Sequence, residues 1–562
     1  MKQAIKAHIK SGHISLLGLI PLIFLGIFYF YPLVKIFQTS FMQNGLWETE
    51  KLKTIVSDSY YAETLWFTFW QALVSTFLTL ILALPGAYVF ARYKFIGKKI
   101  LQSVTAVPFV MPTVVVAAAF QAFLGTNGLV NTLVMEFMGM HEPLIRINHT
   151  IWFIFIAHVF YNYTVVFRIV GGFWAGLEQN LVEAAQMSGA NNWQIFRKIT
   201  LPLLTPAIIT AGLLVFIFCF SSFGVILILG GPRFATIEVE IYRQTINFFN
   251  LPVAAALSII QIIFTFALIW VYSWLQRKAT IAVNSDYHGK IGKPVKSVKD
   301  KIIVTTNICL ILLFIGGPLF ALLLGSFTTE NGFSLIFYTT MLQNTSQSVF
   351  FVPPVKGIFF SLGFAFVTMI SAVILGLFAA LFLARGKKLI TSVLDPVFML
   401  PLSTSAVTLG FGFILALDRP PLNLRTSILI IPLAHTLVAF PFVVRSILPA
   451  LRSIPKNLRE AAALLGASRW NVWKSVDLPI TGRALLVGAI FAFTISLGEF
   501  GATAFVARPH TPTMPLAIYR FLSQPGAINY GQAMAMSSLL MLVTVAGFLF
   551  LEKFGLPGQR EF

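Results

Sequence analysis

Residues 183–202 read EAAQMSGANNWQIFRKITLP, and residues 460–479 read EAAALLGASRWNVWKSVDLP. The two stretches align without a gap at an offset of 277 residues, and eight of their twenty positions are identical. Each stretch is a polar island between long apolar segments. Because one island occurs twice in strict register, we predict that the chain contains two copies of the same structural unit.

The register of the two copies extends well beyond the islands. At the offset of 277, further identities are Ala157-His158 with Ala434-His435, Arg168 with Arg445, Phe223-Gly224 with Phe500-Gly501, and Ile241-Tyr242-Arg243 with Ile518-Tyr519-Arg520. Upstream the offset becomes 293, as in Ala91-Arg92 with Ala384-Arg385 and Pro108 with Pro401. The difference of 16 residues predicts an insertion in the outer loop around residues 125–150 of the first copy.

The composition is that of a membrane protein. Of the 562 residues, 57% are hydrophobic and only 11% are charged, whereas a soluble domain carries roughly a quarter charged residues. A helix that crosses a bilayer needs about 20 mainly apolar residues. Twelve blocks of this kind predict twelve spans, near 14–40, 62–91, 100–124, 150–175, 201–230, 252–276, 302–326, 357–384, 391–417, 427–450, 480–507 and 528–551.

The basic residues indicate the orientation. If the N-terminus is cytosolic, 29 of the 40 Lys and Arg residues fall in cytosolic segments, as the positive-inside rule requires. We therefore expect a multi-pass protein of the bacterial plasma membrane with both islands in the cytosol. The net charge of +20 is attributed to anchoring at the anionic inner leaflet, so the membrane lipid is an expected partner and nucleic acid is not.

Each island is predicted to form a bent helix–turn–helix motif at the membrane surface. Residues 180–202 are called the first elbow here, and residues 457–479 the second elbow. In the first elbow, good helix formers precede Gly189, which allows a tight turn that a residue with a Cβ resists. Asn191 or Asn192 can then cap a second short helix.

The ends of the first elbow favour contact with another protein. Ala184 and Ala185 are small enough for a partner to approach the backbone closely, and Glu183 offers a charge for a basic side chain or a helix N-terminus. Pro202 begins the next span, where proline is tolerated in the first turn. The alternative is an amphipathic elbow that lies on the membrane without a partner.

The spacing Glu-Ala-Ala, three residues, Gly, nine residues, Ile-x-Leu-Pro resembles the EAA loop of ABC importer permeases. The matching residues are Glu183, Ala184, Ala185, Gly189, Ile199, Leu201 and Pro202 in the first elbow, and Glu460, Ala461, Ala462, Gly466, Leu478 and Pro479 in the second. Val476 stands where the family usually has Ile, which preserves the apolar character. In the family, this loop carries the coupling helix that docks in a cleft of the ATP-binding subunit.

The resemblance implies an all-α polytopic membrane protein of the type I ABC importer fold. About 12 transmembrane helices would form two parallel, pseudo-symmetric six-helix permease units. Residues 1–276 would be the first unit, 277–301 a cytosolic basic linker, and 302–562 the second unit. The implied partners are two copies of an ABC ATPase subunit on the cytosolic side and an extracytoplasmic substrate-binding protein. The linker is expected to be a solvated connector, with binding to anionic lipid heads as the alternative.

Motifs of nucleotide hydrolysis and of common catalysis are missing from the sequence. No segment has the G-x-x-x-x-G-K-S/T pattern of a phosphate-binding loop, the H-E-x-x-H pattern of a metalloprotease, or a G-x-S-x-G nucleophile elbow. The chain is therefore not expected to be an enzyme, and no catalytic residue, metal or cofactor is predicted in it. ATP and Mg would be bound by the partner ATPase.

Polar residues within the spans are candidates for the substrate path. Glu499 is the first of these, together with Ser222 at the equivalent position of the other copy. The alternative for Glu499 is a structural lock in which it forms hydrogen bonds between helices. His158 and His435 are expected to pack between helices, because neither has a neighbouring Cys, Asp, Glu or second His to complete a metal site.

Resemblance in architecture and over shorter runs of sequence narrows the choice of substrate. Fused twelve-span permeases of this kind resemble those of the thiamine and ferric-iron importers, and the run ATIEVEIY at 235–242 is similar to the thiamine permease. The run LGEFG at 497–501 is also similar to the sulfate and molybdate permeases. Thiamine or ferric iron is the expected substrate, and sulfate, molybdate or a polyamine is the alternative. An ion-coupled secondary transporter would also have parallel repeats, but it gives no reason for two EAA loops.

Overall fold

The computed structural model describes residues 12–43, 46–47, 53, 55, 57–177, 179–279, 292–343, 352–418, 420 and 422–554. The predicted cytosolic N-terminus up to residue 11, residues 280–291 of the predicted linker, and residues 555–562 lie outside this range. The described part is almost entirely helical, as expected for long apolar segments whose backbone polar groups must be satisfied without water.

Twelve α-helices lie in the described part of the N-terminal half. They are α1 Gly12–Leu25, α2 Tyr31–Phe41, α3 Ser59–Arg92, α4 Lys98–Val110, α5 Thr113–Leu124, α6 Leu129–Met138, α7 Ile151–Ala175, α8 Gln179–Met187, α9 Asn192–Ile195, α10 Leu201–Phe220, α11 Ile237–Tyr242 and α12 Leu251–Ala279. The short strands here are β1 Met42–Gln43, β2 Leu46–Trp47 and β3 Tyr93–Lys94.

The described part of the C-terminal half repeats most of this order, although α6, which lies in the predicted insertion at 125–150, has no helical counterpart. Its helices are α13 Val298–Ile311, α14 Gly317–Gly325, α15 Ile336–Thr340, α16 Val355–Arg385, α17 Lys388–Met399, α18 Ala406–Ala416, α19 Ile430–Ser453, α20 Lys456–Leu464, α21 Arg469–Val472, α22 Leu478–Gly498, α23 Thr503–Val506, α24 Met514–Leu522 and α25 Ala527–Phe554. Its short strands are β4 Lys293–Pro294, β5 Thr328–Thr329 and β6 Gly332–Phe333.

The repeat found in the sequence is also a repeat of structure. Helices α8 and α20 begin and end at positions that differ by 277 residues, and so do α9 and α21. A five-residue π-helical turn joins α9 to α10 at Phe196–Thr200, and its equivalent Trp473–Asp477 joins α21 to α22. The two halves therefore have the same local backbone path through both elbows.

The number of predicted spans agrees with the structure. Within the described residues, 11 helices are long and apolar enough to cross a membrane, and the pair α17–α18, bent by 94°, brings the number to 12 if it counts as one span. Arg385 at the end of α16 and Arg459 of α20 both contact Asp477. Since α20 follows α19 directly, α16 and α19 end at the same face. The chain between them must cross the molecule once more, and α17–α18 provides that crossing.

Several predicted spans end earlier than their apolar blocks. The block 201–230 contains α10, which stops at Phe220, and the block 480–507 contains α22, which stops at Gly498. The residues that follow remain apolar because they turn back into the protein interior, where irregular backbone is tolerated. The block 100–124 is broken at Met111, whose extended conformation is the one favoured before a proline.

The halves exchange their first helices. Helices α1 and α2 pack against α16 and α18 of the C-terminal half, while α14 packs against α5 of the N-terminal half. Tyr29 just after α1 illustrates the contact, because its hydroxyl lies 2.7 Å from Thr404 Oγ1. The two units are thus interlocked rather than simply placed side by side.

The described end of the predicted linker is folded onto the N-terminal half. Strand β4 pairs in parallel with β3, the Tyr93 hydroxyl donates to Asp300 Oδ1 at 2.9 Å, and Lys293 Nζ lies 3.0 Å from Asp300 Oδ2. Burial and this hydrogen bond raise the pKa of the Tyr93 phenol. Since α12 extends to Ala279 and α13 begins at Val298, helices also extend into the predicted linker 277–301. These contacts hold the end of the linker at 292–301 against the N-terminal half, while most of its residues remain exposed.

Candidate functional site

The first elbow turns at Gly189 as predicted. Helix α8 ends in a Schellman motif, in which the Gly189 N–H donates to the Gln186 carbonyl at 2.9 Å and the Ala190 N–H donates to the Ala185 carbonyl at 3.0 Å. Gly189 has φ of 82°, in the left-handed region where a Cβ is unfavourable. The turn therefore satisfies the carbonyls of the Glu-Ala-Ala helix while reversing the chain.

The second arm of the first elbow is capped by Asn191. Its side chain accepts from the Gln194 N–H at 2.9 Å, and the Gln194 side chain accepts from the Asn191 N–H at 3.0 Å, which is a reciprocal capping box. Of the two predicted cap residues, Asn191 is thus the one used. Helix α9 then passes through the π-helical turn into α10, and Pro202 lies in the first turn of α10 as predicted.

The second elbow has the same construction. Gly466 has φ of 84°, its N–H donates to Ala463 at 3.1 Å, and the Ala467 N–H donates to Ala462 at 3.0 Å. Ser468 takes the place of Asn191, since its hydroxyl accepts from the Asn471 N–H at 3.3 Å. The two elbows are therefore equivalent surfaces built from partly different side chains.

The predicted coupling residues are spread along each elbow. Those on the outer helix are Glu183, Ala184, Glu460 and Ala461, which are exposed, and Ala185 and Ala462, which are half-buried. The others lie near the membrane span. The half-buried ones are Ile199, Val476 and Leu478, and the exposed ones are Leu201, Pro202 and Pro479. A hollow of about 340 Å³ lies in the first elbow between the Gly189 turn and Ile199. The elbow is therefore an open, concave surface.

Three apolar side chains stand exposed at equivalent positions of both elbows. The exposed fractions are 46% for Leu181 and 47% for Leu458, 90% for Met187 and 75% for Leu464, and 67% for Trp193 and 65% for Trp470. We did not predict these residues, although their recurrence at the offset of 277 was available in the sequence. Paired apolar exposure of this size is typical of a surface that another protein covers.

Both elbows lie at one face of the molecule. Six membrane-spanning segments lie between the two elbows in the described part of the chain, when the bent pair α17–α18 counts as one. An even number of crossings returns the chain to the face from which it started. This side of the molecule is called the elbow face below.

The two predicted substrate-path residues have structural partners. Glu499 is buried, its Oε1 accepts from the Ala502 N–H at 2.9 Å, and its Oε2 accepts from the Thr503 N–H at 3.0 Å. It therefore satisfies two backbone N–H groups at the start of the short helix α23. Ser222 Oγ lies 2.9 Å from His158 Nε2. This geometry favours the structural alternative for Glu499 over direct contact with cargo.

The two histidines connect helices, as expected. His158 Nδ1 lies 2.9 Å from Ser75 Oγ, and His435 lies between Ser496 Oγ at 2.7 Å and Thr503 Oγ1 at 2.8 Å. Among the described residues, no group of three or more His, Cys, Asp or Glu side chains is arranged to hold a metal ion. Both histidines thus form interhelical hydrogen bonds, but their partners are not at equivalent positions, and His435 Nε2 also lies 3.4 Å from Glu499 Oε2.

Comparison with known proteins identifies the repeated unit. The family described as binding-protein-dependent transport system inner membrane component matches residues 75–281 and again residues 372–554. The chain belongs to this family. Each match contains one elbow, so the internal repeat is the family unit present twice. The chain is accordingly a multi-pass permease of the inner membrane, which agrees with the predicted family and fold class.

Curated relatives cover most of the permease. The thiamine transport system permease protein ThiP of Escherichia coli (strain K12) is 26% identical over 512 residues, which is 90% of each chain. The ferric transport system permease protein FbpB of Actinobacillus pleuropneumoniae is 27% identical over 572 residues, covering 97% of this chain and 79% of that protein. These similarities agree with the resemblance to fused thiamine and ferric-iron permeases.

The permease has a further feature that the sequence pattern does not predict. Phe223 stacks on its own equivalent Phe500 with ring centroids 5.5 Å apart, and Tyr242 and Tyr519 flank them at 5.5 and 5.4 Å. A residue can contact its own equivalent only where the two units meet. These four rings, called the axial cluster below, therefore mark the pseudo-symmetry axis. A Cβ on Gly224 would clash with the Thr113 side chain and lie 3.3 Å from the Phe500 ring, which explains the small residue there.

Proposed function

We propose that this permease is the membrane subunit of an ATP-driven importer and that an ATPase subunit binds each of its two elbows. The observation that carries the proposal is the duplicated exposure of Leu181 and Leu458, Met187 and Leu464, and Trp193 and Trp470. Two equal surfaces at one face suit two copies of one partner. In this proposal the elbow face is cytosolic and the N-terminus lies on the same side.

The elbows offer both apolar and charged contacts to the ATPase. Glu183 and Glu460 are exposed at equivalent positions one helical turn from Met187 and Leu464, so a basic side chain of the partner can pair with each carboxylate. The ATPase would supply the ATP and Mg sites. Closure of the two ATPase copies would move the elbows, and each elbow continues without a break into α10 or α22.

Movement of those helices would act on the axial cluster. Phe223 follows α10 and Phe500 follows α22, so each elbow is connected through one helix to one ring of the stacked pair. The rings are buried and in contact, which closes the path along the axis in this state. Substrate delivered by an extracytoplasmic binding protein would pass when the two units separate here.

Thiamine or ferric iron is the proposed cargo, because relatives of both types cover most of the chain. Thiamine is favoured by the axial cluster, since four aromatic rings suit a cation that itself contains aromatic rings. Sulfate, molybdate or a polyamine is the alternative. Binding of thiamine and Fe³⁺ to the copurified binding protein decides between them, and a receptor that binds only sulfate contradicts the assignment.

The proposed partner is tested by copurification. We expect the double substitution Glu183→Arg and Glu460→Arg to lower recovery of the ATPase by at least about tenfold, because like charges then face each other at both contacts. Glu330→Arg is the matched control, since Glu330 is an exposed carboxylate in the loop after α14, on the side away from the elbows. Undiminished ATPase recovery with the double variant would refute docking at the elbows.

A further inference from the structure

The two elbows differ in how they are joined to the membrane helices. We propose that Asp477 fastens the second elbow rigidly to α16 and α22, whereas the first elbow has no equivalent side-chain clamp. Asp477, Arg385 and Arg459 form what is called the clamp below. The clamp is a property of the chain by itself, and its role in transport rests on the proposed function.

The clamp joins three separate segments. Asp477 is the last residue of the π-helical turn before α22 and is 1% exposed. Its Oδ1 accepts from Arg459 Nε at 2.6 Å, and its Oδ2 accepts from the guanidinium of Arg385. Arg459 belongs to α20, the outer helix of the elbow, and Arg385 is the last residue of α16. One buried carboxylate therefore ties both arms of the elbow to a membrane helix.

The chemistry of the clamp favours a stiff connection. Hydrogen bonds between a guanidinium and a carboxylate are charge-assisted, and they are directional because the guanidinium is planar. A buried carboxylate cannot exchange its partners for water at low cost, so both arginines are held in place. The Asp477 carbonyl also accepts from Thr481 Oγ1 at 2.7 Å, which fixes the start of α22.

The first elbow lacks two of the three clamp residues. At the offset of 277, Asp477 corresponds to Thr200 and Arg459 corresponds to Val182, while at the upstream offset of 293 Arg385 corresponds to Arg92. Arg92 is exposed. Within residues 181–202, whose side chains the structure describes, the side-chain hydrogen bonds are local and there is no ion pair. The first elbow therefore has no buried carboxylate that joins its two arms to a membrane helix.

The clamp affects how movement of each elbow would be passed to the membrane helices. Two identical ATPase copies would displace the two elbows by equal amounts, but the second elbow would pass its movement directly to α16 and α22. The first elbow would absorb part of the movement by bending between α8 and α10. Asp477, Arg385 and Arg459 are therefore positioning residues for the second elbow, which would transmit a larger share of the movement than the first.

Amide hydrogen exchange tests the clamp without any partner. In the full-length chain reconstituted in nanodiscs, we expect residues 183–190 to exchange about tenfold faster than residues 460–467, which corresponds to about 1.4 kcal/mol of local opening free energy. Asp477→Asn should raise the rate at 460–467 to that of the first elbow. Lys474→Gln, at an exposed position of the same turn, should leave both rates unchanged.

A gain-of-function variant guards against simple misfolding of the Asp477 variant. Val182→Arg combined with Thr200→Asp, beside the native Arg92, should build a second clamp and slow exchange at 183–190 by about the same factor. Equal rates in the two wild-type elbows, or no slowing by the double substitution, would overturn the proposal. If the wild-type chain shows the contrast in exchange but copurifies with no ATPase, the clamp stands and the proposed function fails.

Discussion

At the scale of single residues, two glycines decide the shape of the two elbows. Gly189 and Gly466 have φ of 82° and 84°, and a Cβ built on either one meets no heavy atom within 4 Å. Glycine is therefore required by the backbone conformation at these two positions, and steric crowding is not the reason. A left-handed residue with a Cβ costs about 1–2 kcal/mol relative to the right-handed conformation.

We expect Gly189→Ala and Gly466→Ala each to destabilise its own elbow by about 1 kcal/mol, because the strain is local to the turn. Faster amide exchange confined to 183–190 or to 460–467 is the measurement. Gly172→Ala is the matched control, since Gly172 lies within α7, has no positive φ and would also place its Cβ in open space. Equal effects of all three substitutions would show that the left-handed turns are not the cause.

At the scale of elements, each elbow presents one large aromatic side chain to the outside. Trp193 stacks on Phe196 at 5.9 Å and Trp470 stacks on Trp473 at 4.8 Å, so both indoles are held in place by their neighbours while remaining mostly exposed. A side chain that is already ordered loses little entropy when a partner covers it. Tryptophans of this kind are frequent hot spots of interfaces.

Trp193→Ala and Trp470→Ala are each expected to weaken ATPase binding by roughly 2 kcal/mol, or about 30-fold in Kd. Surface plasmon resonance with the ATPase over immobilised permease measures this directly. Trp66→Ala serves as the control, because Trp66 is 65% exposed but lies within the membrane-spanning helix α3. A loss of affinity no larger than that of the control would exclude the indoles from the interface.

The sequence predicts some of these elements correctly, whereas the ends of others depend on tertiary packing. The turn at Gly189, a cap at Asn191 or Asn192, and the start of α10 at Pro202 follow from local backbone preferences, so they were predictable. The ends of α10 and α22 were not, because residues 221–230 and 499–507 stay apolar while turning within the protein. The partners of Glu499 depend on the local fold of α23, which hydropathy does not reveal.

At the scale of the whole molecule, the two halves form one interlocked body. Helices α1 and α2 lie on the C-terminal half, α14 lies on the N-terminal half, and β3 pairs with β4. This exchange depends on tertiary packing between apolar surfaces, so the division of the chain at 277–301 did not predict it. The repeat predicts two equal units, whereas the clamp at Asp477 makes their elbows unequal. Two similar exposed surfaces are thus combined with unequal connections to the membrane helices.

The central claim is that one ATPase copy covers each elbow. Photo-crosslinking from positions 187 and 464 tests it most directly, because Met187 and Leu464 are 90% and 75% exposed at the tips of the two elbows. Position 137 in α6 is the control, since Phe137 is 91% exposed on the opposite face. We expect ATPase adducts from 187 and from 464 and none from 137. Adducts from 137, or none from either elbow in a complex that contains the ATPase, would contradict it.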